Sequence, residues 1–110
     1  MPSVAKFIRN TSAASLRVYF EQVGIAIPVK INWDDPEPDI VRPLLRAVDE
    51  MNDADLARIE NDAERVTNMA DEAGQTALYS VIEDRTKLDE LGNAHDRALW
   101  MFLNDPAGFL

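Results

Sequence analysis

The sequence predicts an all-α fold, an irregular antiparallel bundle of four main helices with one extended segment near residues 25–33. Three observations predict it. Apolar residues recur at spacings of three and four through most of the 110 residues. Residues suited to starting and stopping helices bracket those runs. One stretch, Val29-Lys30-Ile31-Asn32-Trp33, alternates apolar and polar in the period of a strand. A chain of this size buries about two-thirds of its extended surface on folding, enough for one modest core and too little for two ordinary domains.

Residues 3–9 read as a short helical turn with Val4, Phe7 and Ile8 on one side. Ser12 is a good N-cap, because its hydroxyl can accept from a backbone N–H left free in the first turn. Leu16, Tyr19, Phe20 and Val23 carry the helical period to Gly24, which can take a positive φ and so end the helix near residue 23. Pro28 then breaks the chain. A lone strand cannot satisfy its own backbone, so residues 25–33 must lie over helices, pair back on Gly24–Ile27, or pair with another chain.

The second helix is expected over 39–51, with Asp39 as cap and Ile40, Val41, Leu44, Leu45, Val48 and Met51 as its apolar stripe. Pro43 falls at the end of its first turn and predicts a kink or a late start. The third is expected over 54–82, capped by Asp53. Its seam is Leu56, Ile59, Ala63, Val66, Ala70, Ala73 and Ala77, at alternating spacings of three and four, with a break or bend near Gly74. The fourth is expected over 86–103, with Leu88, Leu91, His95, Ala98 and Phe102 as its seam. Asn104-Asp105-Pro106 is a further start signal, which predicts that the native chain continues past Leu110. The expected core is Leu16, Phe20, Val23, Leu44, Val48, Leu56, Ile59, Val66, Leu88, Leu91 and Phe102.

Composition removes several chemistries. With no cysteine there is no disulfide, zinc-thiolate site or cysteine nucleophile. The N-terminal Met-Pro-Ser-Val-Ala-Lys lacks the apolar run of a secretion signal, and the longest apolar run, Ala98 to Leu103, is far short of a membrane span. A cytoplasmic location without membrane contact is the expectation. Charge is uneven. Residues 1–33 hold Lys6, Arg9, Arg17 and Lys30 against Glu21, a net +3, while 34–110 hold seven bases and nineteen acids, a net −12. Such a surface repels phosphate, so no nucleic-acid partner is expected.

His95 is the one histidine, and nothing near it in sequence supplies a second catalytic group. Glu60, Glu64, Asp71 and Glu72 lie at helical spacing. All-helical nucleotide pyrophosphohydrolases hold Mg²⁺ with E-x-x-E and E-x-x-D pairs, yet this chain has no E-x-x-E and one E-x-x-D, Glu50 to Asp53, across a helix boundary. No catalytic residue, metal ligand or cofactor is assigned.

The strongest signal is apolar. Ala98-Leu99-Trp100-Met101-Phe102-Leu103 is apolar all round the helix, and a helix apolar on every face must be covered on every face. Trp33, Leu99, Trp100, Met101 and Leu103 are therefore the expected interface, against a protein partner, the C-terminal remainder of the chain, or a second copy in a homodimer.

Two stretches, Ala70-Asp71-Glu72-Ala73-Gly74-Gln75 and Ala94-His95-Asp96-Arg97 through Asn104-Asp105-Pro106, resemble segments near the N-terminus of larger uncharacterised bacterial proteins. That resemblance covers the second half of the chain and implies a helical region without assigning an activity to any residue. The leading expectation is a non-enzymatic helical interaction or oligomerisation module. The alternatives are an acidic regulator that occupies a basic partner, such as a nuclease or DNA-binding protein, and a small Mg²⁺-dependent nucleotide hydrolase.

Overall fold

The computed structural model describes residues 2–81 and 86–104. It is all-helical, and no strand occurs among the described residues. Seven helices follow in order: α1 (Pro2–Asn10), α2 (Ala13–Val23), α3 (Glu37–Glu50), α4 (Asp53–Ala70), α5 (Glu72–Val81), α6 (Thr86–Glu90) and α7 (Ala94–Asn104). The helix start signalled by Asp105-Pro106, the expected end of the third helix at 82 and the residues 83–85 between it and the fourth lie outside the described residues.

The first residues do more than form a turn. α1 is a full helix of nine residues, and Val4, Phe7 and Ile8 are all in the core. Ser12 caps α2 as expected, its Oγ accepting from the Ser15 N–H at 3.4 Å. Gly24 ends α2 at φ 71°, where its N–H donates to the Phe20 carbonyl at 3.2 Å. Only glycine enters that backbone region without a steric penalty.

α3 begins earlier than the Asp39 expectation. Pro36 holds the N-cap position and Pro38 falls in the first turn, where missing N–H groups are no loss. Pro43 sits inside the helix, with Ile40, Leu44, Ala47 and Val48 buried around it. α4 is capped by Asn52 rather than Asp53; the Asn52 Oδ1 accepts from the Asp55 N–H at 2.8 Å.

Two expected long helices are each interrupted. The 54–82 run breaks at Asp71, whose Oδ1 accepts from the Gly74 N–H at 2.7 Å while its carbonyl starts α5 by accepting from Gln75 N at 2.9 Å. Gly74 permits the turn, because a Cβ there would stand 2.5 Å from the Met69 carbonyl oxygen. The 86–103 run breaks at Leu91-Gly92-Asn93. Asn93 Oδ1 caps α7 by accepting from His95 N at 2.8 Å, and its Nδ2 donates to the Asn10 carbonyl at 2.7 Å. Asp96, buried one turn on, accepts from Ser12 N at 2.8 Å. Those two bonds fasten the α1–α2 joint to the start of α7.

α4 is the central helix, with α1 and α7 packed along it, α5 at its end, and α2 bridging α7 and α3. Among the expected core residues, Leu16, Phe20, Leu44, Val48, Ile59, Val66, Leu88 and Phe102 are buried, while Val23, Leu56 and Leu91 are half-buried. Tyr19 stands edge-on to both Phe7 and Phe20, with ring centroids 5.3 and 5.2 Å away.

Candidate interaction surface

Helical geometry sorts the apolar run of α7. Ala98, Leu99, Met101 and Phe102 turn into the core, with Leu99 1% and Met101 7% exposed. Trp100 and Leu103, three residues apart, share the remaining face and stay half-buried. They form one wall of a groove of about 230 Å³, whose opposite wall is Ala14, Ser15 and Val18 of α2. Leu99, buried, reaches the groove as its floor, and Leu91, Lys87 and Asn104 complete its lining. Val18, at 42%, is the one large apolar side chain among the described residues that counts as exposed.

Of the five residues expected at an interface, Leu99, Trp100 and Leu103 come together in this groove. Met101 does not, because neighbouring helices cover its side of α7 and leave it buried in the core. Trp33 lines a different groove, of about 300 Å³, on the other flank of α2. There the odd-numbered residues Ile25 to Trp33 line the cleft with Phe20, under the exposed Arg17–Glu21 ion pair at 3.1 Å. Sequence reasoning missed Val18. Its signal was present, since it is an apolar residue out of phase with the Leu16-Tyr19-Phe20-Val23 stripe.

Several charged and polar side chains join one helix to another. Tyr19 Oη donates to Asp62 Oδ2 at 2.7 Å in the interior. Burial raises the pKa of both partners; for Asp62 the Tyr19 hydrogen bond and the charges of Arg58 and Arg65 act the other way. His95 is half-buried, with Nε2 enclosed and without a hydrogen-bond partner. Burial holds its pKa below the ordinary value and Lys6 pushes the same way, against a smaller opposing effect of Asp96. Arg97 donates from Nε to Gln75 Oε1 at 2.8 Å and from Nη1 to the Leu91 carbonyl at 2.7 Å, tying α5 and the α6–α7 turn together.

The candidate metal carboxylates do not gather. Glu64, Asp71 and Glu72 are exposed, Glu60 is half-buried, and Asp71 is occupied as a cap. No group of three or more His, Asp or Glu side chains placed to hold a metal ion occurs among the described residues. No described helix is long and apolar enough to cross a membrane.

Fold and surface together define a small all-helical protein with two shallow apolar grooves on the flanks of one helix. No protein-family model, curated protein or solved structure matches the chain.

Proposed function

We propose that this chain is a helical interaction module that associates with protein through the two flanks of α2. The observation that carries the reading is the groove between α2 and α7, where Val18, Trp100 and Leu103 leave apolar surface uncovered around a buried Leu99 floor. Contiguous exposed apolar surface on a small protein marks contact sites more often than single exposed side chains do. The acidic excess has a local use. Glu37 and Asp39 sit in the first turn of α3, and Asp53 and Asp55 in that of α4, where carboxylates favour the helix dipole.

The test is light scattering coupled to size exclusion over rising concentration, on wild type, Val18→Asp and Trp100→Ala. Concentration-dependent association that Val18→Asp weakens, with unchanged far-ultraviolet circular dichroism, supports the reading. A strict monomer at every concentration, indifferent to both substitutions, rejects it. Salt separates it from the basic-partner alternative: apolar association persists as salt rises, whereas capture of a basic protein by the acidic surface weakens steeply.

A further inference from the structure

His95 stands between the two side chains that hold the α1–α2 joint to α7. On one side of it in sequence, Asn93 Nδ2 donates to the Asn10 carbonyl at 2.7 Å; on the other, Asp96 Oδ1 accepts from Ser12 N at 2.8 Å. The ring is half-buried, and its Nε2 is enclosed without a hydrogen-bond partner. A neutral imidazole tolerates that, because one of its nitrogens carries no proton and can be left bare. An imidazolium carries a proton on both and needs an acceptor at each. Thr11, in the middle of the joint, is buried with its Oγ1 also unpartnered. A joint that closes over unsatisfied polar groups gains hydrogen bonds when it opens to solvent.

The surroundings oppose a positive charge on the ring. His95 falls in the first turn of α7, where the helix dipole disfavours a cation. Among the described residues, Lys6 of α1 acts on the ring in the same sense and Asp96 of α7 acts more weakly in the opposite one; α2, α4, α5 and α6 bring no further charge to bear on it. A protonated ring in this place lowers its energy in one of two ways, by drawing the Asp96 carboxylate toward itself or by turning out to water. The first takes Asp96 from Ser12, and the second disturbs the packing around the ring. Both weaken the hold of α7 on the joint.

The same joint sets one end of the groove between α2 and α7. Ser12 lies just ahead of Ala14 and Ser15 in the α2 wall, and Asp96 lies one helical turn ahead of the Leu99 floor. We infer that His95 is a pH-sensitive latch on this groove: a proton on its ring loosens Ser12 from Asp96, lifts residues 10–12 from the start of α7 and lets the groove walls part. This regulation rests on the interaction-module reading. Association through the groove is strongest with His95 neutral and weakens as the ring takes up its proton.

Amide exchange and proton–nitrogen chemical shifts of dilute protein, followed from about pH 7 to about pH 5 on wild type and His95→Gln, test the latch. The Ser12 amide is the readout, since its hydrogen bond to Asp96 is the one that breaks. With exchange corrected for its intrinsic pH dependence, opening at Ser12 rises several-fold in wild type, toward a limit of about 25-fold for one group of ordinary pKa 6.5 that takes its proton only in the open state. Amides of α4 keep their protection, and the Ser12 shift follows the His95 ring protons with a single midpoint. Both responses are flat in His95→Gln. A Ser12 response that persists in His95→Gln, or follows a midpoint other than that of the ring, belongs to another group and overturns the inference, as does a Ser12 amide that stays protected throughout. Light scattering over the same pH range reads the consequence. Wild-type association weakens on acidification and that of His95→Gln does not. Wild-type association indifferent to pH overturns the inference and leaves the interaction reading standing. A strict monomer whose Ser12 amide still follows His95 overturns the interaction reading and leaves the latch.

Discussion

Replacing Tyr19 by phenylalanine removes one oxygen and keeps the ring between Phe7 and Phe20. The change isolates the 2.7 Å hydrogen bond to Asp62, which joins α2 to α4 across 43 positions of sequence. Tyr19 is fully buried and Asp62 is 7% exposed, so water does not readily replace the lost donor. A buried acceptor left without its donor costs about 1–3 kcal/mol, at the upper end when it is charged, so Tyr19→Phe is expected to destabilise by about 2 kcal/mol at neutral pH. In a domain near this size that lowers Tm by roughly 8 °C or more. Burial already raises the Asp62 pKa, so the folded state holds its proton more tightly than the unfolded state does. The Asp62 contribution is therefore greatest at low pH and is lost as pH climbs through the raised value. Without the tyrosine donor that loss grows, and the gap between variant and wild type narrows as the solution is acidified. Urea titrations followed by circular dichroism, on Tyr19→Phe, Asp62→Leu and the double variant, give the coupling directly. A Tyr19→Phe stability within about 0.5 kcal/mol of wild type at neutral pH, or strictly additive single changes, refutes the reasoning.

Two further predictions concern backbone and pH. Gly74→Ala should destabilise even though alanine is the better helix former by about 1 kcal/mol, because the added Cβ meets the Met69 backbone at 2.5 Å and forces α4 and α5 apart. A urea midpoint at or above wild type contradicts the close approach. The His95 pKa is lowered, so the unfolded state takes up its proton first as pH falls. The stability contributed by neutral His95 is complete above its ordinary value of 6.5 and is lost as pH falls from there through the lowered one. His95→Gln should flatten the urea-midpoint profile between about pH 7 and pH 5, and an unchanged slope in that variant excludes His95 as its source.

What the sequence made legible was local. The Ser12 cap, the Gly24 stop and the buried stripe of α4 each depend on residues within a turn of one another, so spacing alone reveals them. The breaks at Asp71 and Asn93 were masked by their own regularity. A repeat of three and four reports which face of an unbroken helix is buried and says nothing about whether the backbone hydrogen bonds beneath it are continuous. Ala70, Ala73 and Ala77 keep the seam spacing across the break, yet Ala73 and Ala77 are exposed and Leu78, outside that seam, is buried instead, because α5 starts anew with its own face turned inward. The cap signals were present, Asp71 three residues before Gly74 and Asn93 three before Asp96, yet they were outweighed by the seam. The bonds Asn10–Asn93, Ser12–Asp96 and Tyr19–Asp62 span 83, 84 and 43 residues, and no local pattern announces such pairs. The candidate surface was half legible for the same reason. The apolar excess of α7 is a property of composition, but which of its residues stay outside depends on the helices that happen to cover it.

The charge map bears on the proposed association. Both grooves border α2, which belongs to the +3 third of the chain, while the helices from α3 onward carry the acids. Two molecules of net charge −9 repel at long range, and at physiological ionic strength that repulsion fades over about 8 Å. Added salt screens this repulsion and leaves apolar contacts in place. Self-association through the groove between α2 and α7, measured by sedimentation equilibrium, should therefore strengthen from low to moderate salt. Weakening over the same range would mean that opposite charges, not apolar contact, drive the encounter.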